Sequence, residues 1–236
     1  MNDTNQTWFI TGSSIGRALA EQYACAPEVG QVIYTWRSNE PTFSASNVTT
    51  VQVDLTSETD IEHLVGNLDK LDGIINATGF LHDEEHKPEK AIARFAPEGL
   101  MRSIELNTLP TALLAKHARK LLKASPSSTF ATISAKVGSI EDNRLGGWYS
   151  YRASKAALNM MLKTLAIEWR IALPHCSVAA LHPGTVESPL SEPFTGKHHN
   201  VMTPEESAGH LKQVLDGLNP DKTGRFWSWD GSELPW

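Results

Sequence analysis

The sequence predicts an α/β fold in which seven parallel strands form a doubly wound sheet with helices on both faces. Short runs rich in β-branched and aromatic residues alternate with longer amphipathic segments along the whole chain. Seven strands that alternate with helices imply right-handed crossovers and a parallel sheet that is covered on both faces. The length of 236 residues suits one α/β domain, predicted over residues 1–236.

The elements follow from hydrophobic periodicity. Strands are expected, in chain order, over residues 8–10, 32–36, 48–53, 73–76, 129–134, 177–181 and 224–229. Helices are expected over residues 15–26, 57–70, 97–123, 148–170 and 204–218. The two longest helices, 97–123 and 148–170, carry more apolar positions than one buried face requires. Ligands bind beyond the carboxyl ends of the strands in such sheets, so functional residues are expected in the loops there.

Composition and charge exclude several classes of protein. The chain has 21 Lys and Arg residues against 27 Asp and Glu, a net charge of −6, which argues against nucleic acid or an anionic membrane as the main partner. No apolar run approaches the roughly 20 residues of a membrane span. The first residues lack the basic and apolar regions of a secretory signal. Cys25 and Cys176 are far apart and lack metal-ligand spacing, so a reduced, cytoplasmic protein is expected.

A glycine-containing turn joins the first strand to the first helix. The segment Thr11-Gly12-Ser13-Ser14-Ile15-Gly16 can direct backbone N–H groups and the helix N-terminus at a phosphate, but a tight turn without a ligand fits it equally well. Arg37 follows the second strand, where a cation suits the 2′-phosphate of an adenosine ribose and a solvated arginine is the alternative. Asp54 follows the third strand and can accept a hydrogen bond from an adenine amino group. Small residues at 76–79 let a dinucleotide approach the backbone after the fourth strand.

Tyr151 and Lys155 are four residues apart in a predicted helix, so the phenol and the ammonium lie on one helical face. At about 4 Å and an effective dielectric near 20, the ammonium favours phenolate by roughly 4 kcal/mol, or about three pKa units. A tyrosine with such a pKa acts as a general acid or base near neutral pH. Tyr149 has no lysine at this spacing and is expected to pack.

The ordered combination of motifs is far more specific than any one of them. Its members lie at element boundaries and are Thr11-Gly12 with Gly16, Asp54, Asn76-Ala77-Thr78-Gly79, Asn107, Ser134, Tyr151-x-x-x-Lys155 and Pro183-Gly184. Over essentially the whole chain this pattern resembles the short-chain dehydrogenase/reductase superfamily, which has a Rossmann-type fold. Residues 148–155, 182–185 and 226–231 further resemble its bacterial C-factor-like branch.

The resemblance implies the roles of four catalytic residues. Tyr151 would protonate the carbonyl oxygen as hydride arrives from the nicotinamide. Lys155 would lower the pKa of Tyr151 and bind the nicotinamide ribose hydroxyls. Ser134 would hold the substrate oxygen, and Asn107 would anchor a water that leads protons to Lys155.

The resemblance also implies a cofactor site and an assembly. The cofactor-binding residues would be Gly12, Ser13, Ser14, Ile15, Gly16, Arg37, Asp54, Leu55, Asn76, Ala77, Thr78, Gly79, Tyr151, Lys155, Pro183, Gly184, Val186 and Ser188. Arg37 favours NADP(H), with NAD(H) as the alternative cofactor. A substrate lid is expected around residues 185–202, and a homodimer or homotetramer would pair the two longest helices.

Two features depart from the family pattern. The family's turn usually carries three glycines. If Gly12 and Gly16 are the first two, Ala18 stands at the third position; if Gly16 is the last, the loop is two residues short. We favour the short loop. The family's catalytic serine usually lies three residues before a glycine, and that position, counted from Gly138, is Ala135. Ser134 is therefore the expected catalytic serine, with Ser139 as the rival.

Two alternatives remain open. The segment from His82 to His86 fits an H-x-x-E-H zinc pattern, but a solvated acidic loop is favoured and no metal is expected, because that pattern needs a helix. The function expected is hydride transfer that interconverts a carbonyl and an alcohol on an unidentified small substrate. One alternative is a nucleotide-binding, C-factor-like signalling protein with weak or no activity, which the shortened loop and Ala135 favour. Another is an epimerase or dehydratase on the same scaffold.

Overall fold

A computed structural model describes residues 5–195 and 201–236 of the chain. Its strands are β1 (Gln6–Gly12), β2 (Val29–Trp36), β3 (Val48–Gln52), β4 (Gly73–Ala77), β5 (Ser128–Ile133), β6 (Cys176–His182), β7 (Arg225–Ser228) and β8 (Glu233–Leu234). Its helices are α1 (Ser14–Ala24), α2 (Glu58–Val65), α3 (Pro97–Asn107), α4 (Leu109–Lys123), α5 (Tyr149–Ala172), α6 (Glu192–Thr195) and α7 (Pro204–Asp216).

The strands form one sheet in the order β3-β2-β1-β4-β5-β6-β7-β8. Pairing is parallel from β3 through β7, and the winding reverses between β1 and β4, so the predicted doubly wound α/β fold is confirmed. The sheet also has an eighth strand, because the chain turns at Gly231 (φ 81°) and β8 pairs antiparallel with β7. A strand of two residues has no periodicity for sequence analysis to detect.

Both faces of the sheet are covered, since neighbouring strand residues point to opposite faces. Phe9 packs with Leu162 and Trp169 in a core that includes α4 and α5. Ile10, the next residue, packs with Leu19 and Leu211 in a second core that includes α1 and α7. No helix in the described part of the chain combines the length and apolar character needed to cross a membrane.

The helix expected over residues 97–123 is interrupted at Thr108, and that prediction of one continuous helix is wrong. Pro110 has no N–H to donate to the preceding turn and its ring clashes with the carbonyl there, which breaks the helix. The break makes Asn107 the last residue of α3, with its side chain buried at 1% exposure. The interruption therefore lies at a predicted catalytic residue.

The apolar side chains of α4 and α5 differ in how far they are buried. The leucines of α4, including Leu113, Leu114 and Leu121, are buried in the core of their own chain. In α5, Ile167 and Ile171 remain 60% and 89% exposed. α5 thus presents large apolar side chains on the surface, whereas α4 does not.

Candidate active site

A cleft of about 560 Å³ opens at the carboxyl edge of the sheet, where the winding reverses between β1 and β4. Eight of the residues expected to bind a cofactor line this cleft: Gly12, Ser13, Ser14, Arg37, Asp54, Leu55, Thr78 and Gly79. The loops after β1, β2, β3 and β4 supply them. The cleft thus lies at the loops in which the sequence motifs predicted a dinucleotide site.

The turn after β1 can be made only with glycine at position 12. Gly12 has φ 103°, and a Cβ there would lie 2.4 Å from the Ala77 carbonyl oxygen. This close packing joins β1 to β4 and lets α1 begin at Ser14, beside the cleft. The first N–H groups of a helix have no partner within it, so they are donors for an anion.

Gly16 packs α1 onto the sheet and does not line the cleft. A Cβ at this position would lie 2.1 Å from the Thr11 carbonyl oxygen and 3.3 Å from the Ala77 Cβ. Ile15 packs against the core beneath α1. In a dinucleotide turn the last glycine is the one that lets the helix pack closely on the strand. Gly16 has this role here, which favours the shortened loop.

The outer end of the cleft carries two cations. Arg37 is exposed there, and Arg17 on α1 lines the same cleft, where its guanidinium donates to the Thr42 carbonyl at 3.0 Å. Arg17 was not among the predicted residues, and its position directly after Gly16 is the signal that marks it. The Asp54 carboxylate accepts from the Thr56 hydroxyl and backbone N–H, and these hydrogen bonds lower its pKa.

Asn76 was expected to bind a cofactor, but its side chain is fully buried. Its Oδ1 accepts hydrogen bonds from the hydroxyls of Thr11 and Thr78 at 2.8 and 2.7 Å, and its Nδ2 donates to Thr111 at 2.9 Å. Asn76 therefore ties β1, β4 and α4 together and orients Thr78, which does line the cleft. Ala77 next to it packs against the turn at Gly12.

Lys155 and Asn107 converge beside Gly79 at the inner end of the cleft. The Lys155 Nζ donates to the Ile133 carbonyl at 3.0 Å, and a Cβ on Gly79 would lie 3.8 Å from that Nζ and 3.9 Å from the Asn107 Oδ1. The Asn107 amide exchanges hydrogen bonds with the Phe80 backbone at 2.7 and 2.9 Å. The loop after β4, α3 and α5 thus bring together Asn107 and Lys155, which are far apart in sequence.

Tyr151 lies one helical turn before Lys155, with the Lys155 Nζ 5.9 Å from the centre of its ring. Both side chains are almost wholly buried, at 9% and 2% exposure. Burial lowers the pKa of Lys155 to about 8 and raises the pKa of Tyr151 well above its usual value. The shared face agrees with the sequence analysis, whereas the direction of the Tyr151 shift is opposite to the one expected from the ammonium.

Neither candidate serine presents a free hydroxyl. The Ser134 Oγ is buried and donates to the Asn159 Oδ1 at 2.6 Å. The Ser139 Oγ donates to the Trp236 carbonyl at 3.2 Å and accepts from the Asp142 N–H at 3.0 Å. Both hydroxyls therefore have structural partners, and the role of Ser134 in holding a substrate oxygen stays a prediction.

The loop after β6 holds the remaining residues that were expected to bind a cofactor. Gly184 has φ 80°, and Pro183 accepts a hydrogen bond from the Ser207 hydroxyl at 2.8 Å. Val186 is buried, and the Ser188 hydroxyl lies 3.0 Å from that of Ser191. Part of the expected lid forms α6, while residues 196–200 of it lie outside the described residues.

Two positioning residues were missed by the sequence analysis. Ser154 is fully buried, accepts from the Asn107 amide at 2.9 Å and donates to the Tyr151 carbonyl at 2.8 Å. Glu89, a buried carboxylate, accepts hydrogen bonds from the N–H and the hydroxyl of Ser150 at the start of α5. These contacts fix α5 next to Tyr151, and their partners are too distant in sequence for a local pattern.

The H-x-x-E-H segment forms no helix. His86 pairs with Asp83 at 3.0 Å, whereas the His82 ring contacts Phe194. The two imidazoles therefore have separate partners and lack the shared helical face that the zinc pattern requires.

Comparison with known proteins identifies the family. A family model described as short chain dehydrogenase matches residues 6–198. The chain is 35% identical over 188 residues to the 1-hydroxy-2-glutathionyl-2-methyl-3-butene dehydrogenase of Rhodococcus sp. (strain AD45), covering 78% of each chain. It is 38% identical over 107 residues to the C-signal protein of Myxococcus xanthus, covering 45% of this chain and 60% of that protein.

Solved structures share the fold. The NADPH-bound carbonyl reductase from chicken fatty liver superposes with a TM-score of 0.85 at 24% identity, covering 98% of this chain and 94% of that one. The carbonyl reductase Sniffer of D. melanogaster superposes with a TM-score of 0.83 at 24% identity, covering 98% and 99%.

Proposed function

Because the chain belongs to the short-chain dehydrogenase family, we propose that it is an NADP(H)-dependent oxidoreductase that interconverts a carbonyl and an alcohol on a small substrate. One observation carries the proposal: Tyr151 and Lys155 share a buried face of α5, and the Lys155 ammonium lies beside Gly79 at the inner end of the cleft. A proton donor and a cation are thus held next to a space large enough for a cofactor.

The residues of the cleft fit a dinucleotide. Gly12 leaves no side chain between the turn and the cleft, and the N-terminus of α1 supports the binding of a pyrophosphate. Thr78 and Gly79 would face its middle, and residues 183–188 would contact the nicotinamide end. When bound, the nicotinamide supplies or accepts the hydride.

The cationic outer end of the cleft supports a preference for NADP(H). Arg37 and Arg17 lie where an adenosine ribose would reach the end of β2, and β2 ends without an acidic residue. A guanidinium makes strong hydrogen bonds to phosphate, whereas an acidic residue suits a free ribose hydroxyl.

The chain's own residues would move the proton. The Tyr151 hydroxyl donates its proton to the carbonyl oxygen of the substrate, which leaves a phenolate in a buried site. The Lys155 ammonium stabilises this phenolate, and each charge lessens the cost of burying the other. Asn107 and Ser154 hold the end of α3 against α5, which keeps the two groups in place.

We further propose that α5 contributes to a homodimer or homotetramer. Its residues Met160, Ile167 and Ile171 are 65%, 60% and 89% exposed, and exposed apolar patches mark interaction surfaces. Ile171→Glu is expected to lower the mass measured by light scattering to that of a smaller species. Unchanged mass would place the interface elsewhere.

A signalling protein with weak turnover is the second candidate. Ala135 at the usual serine position and the engagement of the Ser134 hydroxyl with Asn159 favour it. Intact Tyr151, Lys155 and Asn107 favour an enzyme.

The experiment that separates the two candidates measures substrate-dependent oxidation of NADPH with a panel of aldehydes and ketones. Tyr151→Phe serves as the inactive variant and Tyr149→Phe, 39% exposed at the start of the same helix, as its matched control. An enzyme is expected to turn over at least one carbonyl compound, with loss of activity in Tyr151→Phe only. NADPH binding without turnover of any compound would favour the signalling candidate.

A further inference from the structure

An aromatic surface extends from the catalytic tyrosine. The Trp148 ring lies 6.1 Å from the Tyr151 ring, the Phe194 ring 5.1 Å from Trp148, and the His82 ring 5.5 Å from Phe194, all at steep angles. We call these four residues the aromatic wall. They come from α5 and its preceding residue, from α6 and from the loop after β4, so three separate segments meet beside the proton donor.

Trp148 adopts a costly backbone conformation within this wall. Its φ is 52°, and among residues 5–195 and 201–236 no other non-glycine residue has a positive φ. Left-handed backbone is disfavoured for a residue with a bulky side chain, and such strain concentrates at functional sites. Gly146 and Gly147 precede it with φ 63° and 66°, so three successive left-handed residues aim the indole at the first turn of α5.

His82 carries an unmet hydrogen-bonding group. Its Nε2 is shielded from solvent and has no hydrogen-bond partner within the described part of the chain. His86 in the same loop does have a partner, since its Nδ1 pairs with Asp83. Burying a polar nitrogen without a partner is unfavourable, so a water or a ligand group that bonds this nitrogen would stabilise the site.

Building on the proposed function, we infer that the substrate is an aromatic aldehyde or ketone with a neutral hydrogen-bonding group, such as a phenolic hydroxyl, at its far end. The carbonyl meets the Tyr151 hydroxyl, the flat apolar body lies along Trp148 and Phe194, and the polar end meets the partly exposed His82 ring, which turns to present its Nε2. Aromatic surfaces stack or pack edge-on, which favours a planar aryl substrate over one with a saturated ring. The exposed residues Asp83, Glu84 and Glu85 follow His82 and disfavour an anionic substituent.

Three aldehydes test this substrate class: 6-hydroxy-2-naphthaldehyde, its 6-methyl analogue and cyclohexanecarbaldehyde. The wild type is expected to show a kcat/KM about tenfold higher for the hydroxy compound than for the methyl compound, the discrimination of one good hydrogen bond. Both aryl compounds are expected to exceed cyclohexanecarbaldehyde. Equal kcat/KM for all three would overturn the inference.

Variants assign the preference to particular side chains. His82→Phe is expected to remove the hydroxyl preference by raising KM for the hydroxy compound alone, and His82→Gln to restore part of it. Trp148→Gly removes the indole while suiting the left-handed backbone, and is expected to reduce the preference for aryl over cyclohexyl. His175→Phe, an exposed histidine before β6, is the control that leaves all three values unchanged.

The outcomes separate this inference from the function on which it rests. Reduction of cyclohexanecarbaldehyde without preference for either aryl compound would retain the oxidoreductase and overturn the substrate class. A hydroxyl preference that survives in His82→Phe would overturn the role of His82. NADPH oxidation with none of the three aldehydes and with no compound of the wider panel would overturn both.

Discussion

The two ends of the cleft differ in how their side chains are engaged. At the outer end Arg37 is exposed and the turn after Gly12 faces open space. At the inner end Lys155 is buried and donates to the Ile133 carbonyl, and Ser134 donates to Asn159. Side chains at the outer end are therefore accessible to a ligand. Those at the inner end already have hydrogen-bond partners within the protein.

The contrast limits what a family motif can assign. The motifs predict Tyr151, Lys155 and Asn107 as neighbours; Lys155 and Asn107 lie beside Gly79, and Tyr151 lies one turn before Lys155. The motifs do not say which hydroxyl is free, because that depends on neighbours such as Asn159. Substitutions at the two ends of the cleft are therefore expected to have different effects.

The largest effect is expected at the inner end. Tyr151→Phe removes only a hydroxyl and is expected to lower kcat at least about a hundredfold, the contribution of a positioned general acid. Steady-state kinetics measure kcat, and a fluorescence titration with NADPH checks that the cofactor still binds with unchanged affinity. Turnover near the wild-type value would remove Tyr151 from the chemistry.

At the outer end, Arg37→Asp replaces a cation with an anion beside the proposed 2′-phosphate. The Kd for NADPH is expected to rise about tenfold or more, while the Kd for NADH changes little, because NADH lacks that phosphate. Arg119→Asp, at an exposed position on α4, is the charge-matched control. An equal rise of the Kd for NADPH and for NADH in Arg37→Asp would show that the guanidinium does not bind the 2′-phosphate.

The inner end also sets a pH dependence. Burial lowers the pKa of Lys155 to about 8, so its ammonium is lost as pH rises through that value. The kcat/KM for carbonyl reduction is expected to fall about tenfold per pH unit on this alkaline limb. The raised pKa of Tyr151 keeps its proton in place over the same range.

Lys155→Arg tests the origin of that limb, because a guanidinium stays charged across the range. Its residual activity is expected to lose the limb near pH 8, whereas Lys163→Met, two turns further along α5, keeps it. A limb that persists in Lys155→Arg would assign the titration to another group.

The smallest effect on turnover is expected from Ser134→Ala. The Ser134 hydroxyl already serves Asn159, so kcat is expected to stay within about twofold, while the free energy of unfolding falls by about 1–3 kcal/mol as Asn159 loses its buried partner. Denaturant unfolding and steady-state kinetics measure the two quantities, with Ser139→Ala as the parallel variant. A large loss of turnover with unchanged stability would restore Ser134 as the residue that holds the substrate oxygen.

Local signals account for what the sequence predicted. The i, i+4 spacing of Tyr151 and Lys155 and the glycine turn at Gly12 depend on neighbouring residues, and both lie where expected. Asn159, the partner of Ser134, is 25 residues away, and Asn76 bonds Thr111 and Thr11, which are 35 and 65 residues away. The burial of Ser134 and Asn76 therefore depends on strand order and helix packing. Pro110 was a local signal for the helix break at Thr108. The prediction of one continuous helix followed the apolar periodicity of residues 97–123 instead.

The most direct test of the account is a titration of the wild-type protein with NADPH and NADH, followed by the fluorescence of its seven tryptophans. Trp36 lines the cleft and is expected to report the cofactor. The account predicts micromolar binding of NADPH that is tighter than the binding of NADH. Absence of binding by either cofactor at millimolar concentration would contradict it, because the short glycine turn would then not hold a dinucleotide.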